Sequence, residues 1–564
     1  MSGITINSKA SLKALKHLSN KNKTVKSIRG QIVDIINNVI YRGEIRIKNG
    51  FIDTVMETDI KSDIFIVPAF IDAHVHIESS MLVPSEFARV ALTRGVIATV
   101  SDPHEIANVM GMEGIRYMID EPKKLPFRFY FGAPSCVPAI PFDTSGAIIG
   151  VKEIDVLLQQ KDIYFLSEMM NFPGVIKKDT QVMAKIALAK KYRKNIDGHA
   201  PSLRGEKLDR YIEAGINTDH ETIDIEEGRE KLQKGMKLLI REGSAAKNLE
   251  KLSPLIKEFP DMCMFCSDDI HPDDLMKTYI DDMIRRLLKK GFDPITVLKC
   301  ASLNAAKHYG IDMGFLQKGS KADFVIVDNL SDFNILCTVI DGKIVATGKK
   351  CFLPIQEVPI INKFHATEKS PDSFKVFAES SIINVIEAID GQIYTKRFSA
   401  KAKIVKGQVV SDIKKDILKI ALVNRYEDKL PVVGFIKNFG LKKGAIATSV
   451  AHDSHNILCV GVKDTDIASA VNAVIKYKGG LAVHCNGMEE ILELPVAGIM
   501  SDKDCGYVAN KYLTLTNMAK ELGCNLNAPF ITLSFMALIV IPELKISAKG
   551  LFDVISFSPI KLFQ

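Results

Sequence analysis

The chain has 564 residues, 47% of them hydrophobic and 25% charged, with a net charge of +7 at pH 7. Single cores stop growing at roughly 250 to 300 residues, so two or three domains are expected, and the ordinary composition excludes the disordered and fibrous classes. The positive charge is not gathered into one long run; the most basic stretch, "KHLSNKNKTVKSIRG" (16–30), reads as a solvated segment rather than a nucleic-acid arm.

The polar start "MSGITINSKASLK" has no secretory signal, and the ten cysteines are scattered. Reduced thiols in a cytoplasmic protein are the expectation. From about 28 to 67, β-prone runs such as "IRGQIVDI", "GEIRIKNG" and "FIDTVM" are divided by Gly and Asn, which predicts a small antiparallel sheet. A matching set, "GSKADFVIVDN" and "CTVIDGKIVATGK", returns after 315. The two sets can pair only if the segment between them folds as an insert.

That insert alternates strands and helices. Strand-like runs ending in polar residues are "IFIVPAFIDAHVHI" (64–77), "VIATVSDPH" (96–104), "RFYFGAPS" (128–135), "IYFLSEMMN" (163–171), "NIDGHAP" (195–201), "INTDHE" (216–221), "KLLIREGS" (237–244) and "MCMFCSDD" (262–269). Helical patterns such as "DTQVMAKIALAKKYRK" and "KTYIDDMIRRLLKKG" lie between most of them. Eight such units predict an α/β fold, a (β/α)₈ TIM-like barrel whose chemistry sits at the C-terminal ends of its strands. The expected division is residues 1–67 and 315–359 as one composite small β domain, 68–314 as the barrel, and 360–564 as a C-terminal α/β domain. Within that last part "FMALIVI" (535–541) is too short to cross a bilayer, which takes about 20 residues.

The strand ends carry His74 and His76, Glu168, His199, His220 and Asp268. His74 and His76 are i and i+2 on one strand and so face the same side. Four imidazoles and two carboxylates without a thiolate suit Zn, Mn or Fe(II). Six ligands exceed what one tetrahedral catalytic ion uses, so two ions sharing a carboxylate are expected. Cys263 and Cys266 stand i, i+3 on a strand and point to opposite faces, so they cannot chelate one metal. Together with "HIE" (76–78) they mimic the zinc deaminase signature of nucleic-acid editing enzymes, but that signature wants Pro-Cys and this chain has Met262.

The stretches "PAFIDAHVHIESSM", "SDPHEIANVMG", "LSEMMNFPGV", "DGHAPSL", "TDHE", "REGSAAKNL" and "CSDDIHPDDL" resemble the amidohydrolase superfamily, and within it the bacterial and archaeal adenine deaminases. "SVAHDSHN" and "LPVAGIMSD" resemble that family's own C-terminal domain, so the resemblance spans nearly the whole chain. It implies a bridging role for Glu168, where many two-metal relatives have a carboxylated lysine, and two divalent ions per chain, Mn or Fe before Zn. It implies hydrolysis of adenine, a small purine base, to hypoxanthine and ammonia in purine salvage. A divalent ion lowers the pKa of water from 15.7 toward about 7, making a hydroxide available to attack C6.

Proton transfer then needs acid–base groups, and Asp268 and Glu221 are the candidates; Glu221 reaches the site only if its strand has already ended. His104, Glu242 and Ser244 are candidate substrate contacts, with Asp269 and His271 as groups that orient the ligands. His452 and His455 read as part of a loop packing over the barrel mouth, and His484 carries no assignment. The alternatives are another cyclic amide or amidine hydrolase of the superfamily and, as a non-enzyme, a barrel kept as a binding scaffold, which would require loss of ligands that are all present. Barrels with extra domains often associate, so a homo-oligomer is compatible with the sequence.

Overall fold

The eight apolar runs of the insert form parallel strands in the computed structural model, which describes residues 4–6, 9, 24–59, 61–140 and 142–564. Residues 16–23 of the basic stretch lie outside the described residues. The strands are Phe70–Val75, Val96–Ser101, Arg128–Ala133, Ile163–Met169, Asn195–Gly198, Thr218–Asp219, Lys237–Arg241 and Cys263–Cys266. The first and second are buried at every position, as expected where helices cover one face and the other points into the packed barrel interior. The first five pair in sequence, and so do the last three.

Two junctions complete the ring. Asn217 N–H donates to the Ile196 carbonyl at 3.2 Å, and at the other seam Asp268 N–H donates to His74 O at 2.9 Å while His76 N–H donates to Asp268 O at 3.1 Å. The expected barrel is therefore present. Its helices start where the sequence signals starts: Asp179 caps Thr180–Lys191 by accepting from Gln181 and Val182 N–H at 3.0 Å.

The run 64–77 is two strands rather than one. Phe65–Pro68 belongs to a nine-stranded sheet, and Phe70–Val75 to the barrel. Pro68 has no N–H to continue a ladder, which makes it a natural strand end. Phe65–Pro68 is also the seam of the composite sheet, pairing antiparallel with Phe324–Val327 and parallel with Val25–Asp34. Strands from both flanks of the barrel thus share one sheet, with its own core of residues such as Ile28, Ile45, Phe324 and Val339. The sheet is mostly antiparallel, with Ile4–Ile6 and the seam as parallel exceptions.

An eight-stranded sheet spanning Ile382–Glu493, with helices Asp464–Lys476 and Cys505–Glu521, makes up most of the remainder. It packs on the barrel through Ser501 N–H, which donates to Met81 O at 2.8 Å. The apolar run 535–541 forms a short 3₁₀ turn, Phe535–Ala537, and the loop after it. No helix among the described residues is long and apolar enough to cross a membrane.

Candidate active site

The hydrogen bonds that close the barrel also set its chemistry, because His74, His76 and Asp268 carry them. Asp268 lies just past its strand with φ +57°, a left-handed backbone that aspartate adopts more readily than most residues. Its Oδ1 is 3.3 Å from His74 Nε2 and 3.2 Å from His76 Nε2, and those two nitrogens are 3.2 Å apart. Glu168 Oε1 joins them, 3.2 Å from His76 Nε2 and 3.9 Å from His74 Nε2. Glu168 Oε2 turns the other way, 2.7 Å from His199 Nδ1 and 3.3 Å from His220 Nε2.

Donors about 2.1 Å from one ion in a tetrahedral shell stand roughly 3.4 Å apart. The separations around Asp268 Oδ1 fit that figure, so the residues present suit a cation. Burial, reinforced by the neighbouring His220 and His76 rings, lowers His74 to about 4 and keeps it neutral, the form that ligates. Burial works against charge on His76 as well, but Asp268 and Glu168 raise it well above its ordinary value. His76 Nδ1 is 3.1 Å from the Asp102 carbonyl, a contact that leaves Nε2 free to face the cluster.

Local sequence explains the placement. A Cβ on Gly198 would lie 2.2 Å from Thr218 O, so glycine is required before His199 for the fifth and sixth strands to approach. The sixth strand ends at Asp219, which leaves His220 and Glu221 free to face the mouth together. Beneath them the fully buried Lys231 donates to Ala200 O at 2.8 Å, Asp219 Oδ2 at 2.9 Å and Glu227 Oε1 at 2.6 Å. It ties the residue after His199 to the residue before His220.

Arg241, at the end of the seventh strand, is the group that sequence reasoning missed. Its Nη1 donates to Asp268 Oδ2 at 2.6 Å, and the guanidinium grips both oxygens of Glu221, with Nη2 to Oε2 at 3.0 Å. Although burial pushes both carboxyls up, Arg241 holds Asp268 well below the carboxylate range and lowers Glu221 too. The signal was available: in Lys237–Arg241, Arg241 is the last strand residue and shares a face with Leu239.

The other candidates divide. His104 does not end the second strand; it opens a helix, His104–Met110. It nevertheless lines the cavity, with Nδ1 3.0 Å from Asp102 Oδ2 and 3.5 Å from Glu168 Oε1. Glu242 and Ser244 do not line it, although Ala245 and Ala246 of the same loop do. Glu242 accepts from Leu249 N–H at 3.1 Å and from Arg286, and Ser244 Oγ donates to Asp274 at 2.7 Å. Asp269 faces the cavity and accepts from Ser79 Oγ at 2.5 Å. His271 stacks edge-on against Tyr512 instead.

The loop 449–456 packs on the mouth, where Glu105 is gripped by both His452 Nδ1 and His455 Nε2. His484 pairs with Asp466 at 3.1 Å on the C-terminal sheet. Ile393, Phe535, Leu538 and Ile541 complete the cavity from above.

Buried His, Asp and Glu groups able to hold a metal gather at the C-terminal mouth of the barrel, and the Amidohydrolase family model, that of metal-dependent hydrolases, matches residues 65–345. The Adenine deaminase C-terminal domain model matches residues 392–558. The chain is 52% identical over 531 residues to the adenine deaminase of Sulfurovum sp., covering 94% of this chain and 98% of that protein. It is 50% identical to the adenine deaminase of Methanosarcina mazei, over 96% of this chain and all of that protein, and 47% identical to that of Borreliella burgdorferi, over 94% and 98%. The chain therefore belongs to the adenine deaminase family.

Proposed function

We propose that the cavity hydrolyses adenine to hypoxanthine and ammonia with two divalent ions, Mn or Fe before Zn. His74, His76, Asp268 and Glu168 Oε1 would hold one ion, and His199, His220 and Glu168 Oε2 the other. The observation that carries this reading is the division of Glu168, one oxygen toward each histidine pair. When bound, such ions acidify water enough to supply a nucleophile near neutral pH.

The residues of the chain handle the protons. The water oxygen bonds to C6 and gives up both its protons, one ending on N1 and one on the amine, and the C6–N bond breaks as ammonia leaves and the oxygen stays as the C6 carbonyl. Asp268 stands between the histidine pair and Arg241, so it receives the proton from water and returns it to the amine. Glu221, with both oxygens taken by Arg241, would serve as the second anchor of that guanidinium and keep Asp268 aimed, whereas Asp268 gives Arg241 only its Oδ2. His104, within reach of Glu168, is placed to contact the base.

The test is ammonia release from the Mn-loaded protein, with adenine and adenosine assayed separately. Release from adenine at kcat above about 1 s⁻¹ is expected, within the ordinary range for enzymes. If neither purine yields ammonia while a hydantoin or dihydroorotate is opened, the general cyclic-amide hydrolase reading replaces this one.

A further inference from the structure

The carboxylates that line the cavity are nearly all paired. Glu221 and Asp268 hold Arg241, Glu105 holds His452 and His455, Glu168 faces the histidines, and Asp269 accepts from Ser79. Asp453, delivered by the C-terminal loop, lines the same cavity and is only 3% exposed. Its Oδ2 has no hydrogen-bond partner among the described residues. A buried acceptor left unpaired is costly, and burial together with Glu105 raises this carboxyl to about 6.

Three features describe what would complete it. The cavity that Asp453 lines also has an apolar wall, Phe535, Leu538, Ile541 and Ile393, which suits a flat heteroaromatic ring. The donor atoms of Asp453, Glu105 and His104 lie within 4.8 Å of one another, and His104 Nδ1 is 3.5 Å from Glu168. Asp453 is thus one side chain away from the metal-ligand cluster, a separation that a bicyclic base can span. Resting on the adenine reading, C6 and its amino group must face the cluster. The remaining N–H of adenine is then on the five-membered ring, and in a nucleoside the sugar replaces it.

We propose that Asp453 accepts the five-membered-ring N–H of adenine and thereby selects the free base over purines substituted at that nitrogen. The residue would thus make the C-terminal domain part of the substrate site.

The test compares adenine with its isostere carrying sulfur in place of N9–H, which keeps the shape and the C6 amino group but offers no ring donor. A site built around a substrate N–H discriminates strongly against an analogue lacking it. In the Mn-loaded wild type, kcat/KM should favour adenine by about 100-fold or more. Asp453→Ala should lower kcat/KM for adenine by about that factor and leave the sulfur isostere within about threefold, with metal content and melting temperature unchanged. Asp453→Asn keeps an amide oxygen, should show a smaller loss with the same bias, and carries the comparison if the alanine variant does not fold. Equal losses on both substrates, no loss on adenine, absence of a wild-type preference, or departure of a metal ion from the variants would each overturn the proposal. Wild type that releases no ammonia from adenine would instead overturn the activity on which it rests.

Discussion

Glu168→Ala is expected to lower the metal content from about two ions per chain to about one and to remove most adenine turnover. Among the described residues Glu168 is the one side chain with an oxygen toward both histidine pairs, 3.2 Å from His76 and 2.7 Å from His199. Alanine would remove a ligand from each set and the negative charge between two cations about 3.5–4 Å apart. Mutual repulsion should then expel one ion, so the loss exceeds one ligand's worth of affinity. The set built on His74, His76 and Asp268 keeps three donors, whereas His199 and His220 keep two, so the second ion should be the one to leave. Elemental analysis after dialysis without chelator reads this directly. Two ions retained per chain would place the bridge elsewhere.

Asp268→Asn should leave the fold and most of the metal in place but reduce kcat by about 10² to 10⁴, the usual contribution of a general acid–base group. The fold survives because Arg241 keeps its two-point contact with Glu221. The ring-closing hydrogen bonds at position 268 are backbone bonds and do not depend on the side chain. What asparagine cannot do is carry the proton, and its amide N–H₂ would also face either Arg241 or the ion, both of which need an oxygen lone pair. Turnover measured alongside metal content separates the two effects. Near-normal kcat with full metal would remove Asp268 from proton transfer.

The barrel was legible because strand-like runs ending in polar residues recur eight times with helical patterns between most of them, even though Asn195–Gly198 and Thr218–Asp219 are short and polar. The metal-ligand candidates were legible for the same reason: His74, His76, Glu168, His199, His220 and Asp268 are the electron-pair donors at those ends, and the structure brings all six together. Arg241 was passed over because a search for such donors ignores a cation, although it occupies the same kind of position. Glu242 and Ser244 were chosen instead, and no local pattern says that their side chains are taken by Leu249, Arg286 and Asp274 while Ala245 and Ala246 of the same loop face the cavity.

The contacts of Glu105 with His452 and His455 join residues about 350 apart in sequence, and no periodicity reports such a meeting. The roof was hidden differently. "FMALIVI" was weighed only as a run too short to cross a bilayer, yet Phe535, Leu538 and Ile541 close the cavity.

The central claim, that two ions act together in one cavity on adenine, is tested most directly by titrating chelator-stripped protein with Mn(II) while following ammonia release from adenine. Activity should rise until about two Mn per chain are bound and then level off, since the ligand set divides at Glu168 into two sites. Saturation at one Mn per chain, or no ammonia at any loading, would contradict the account.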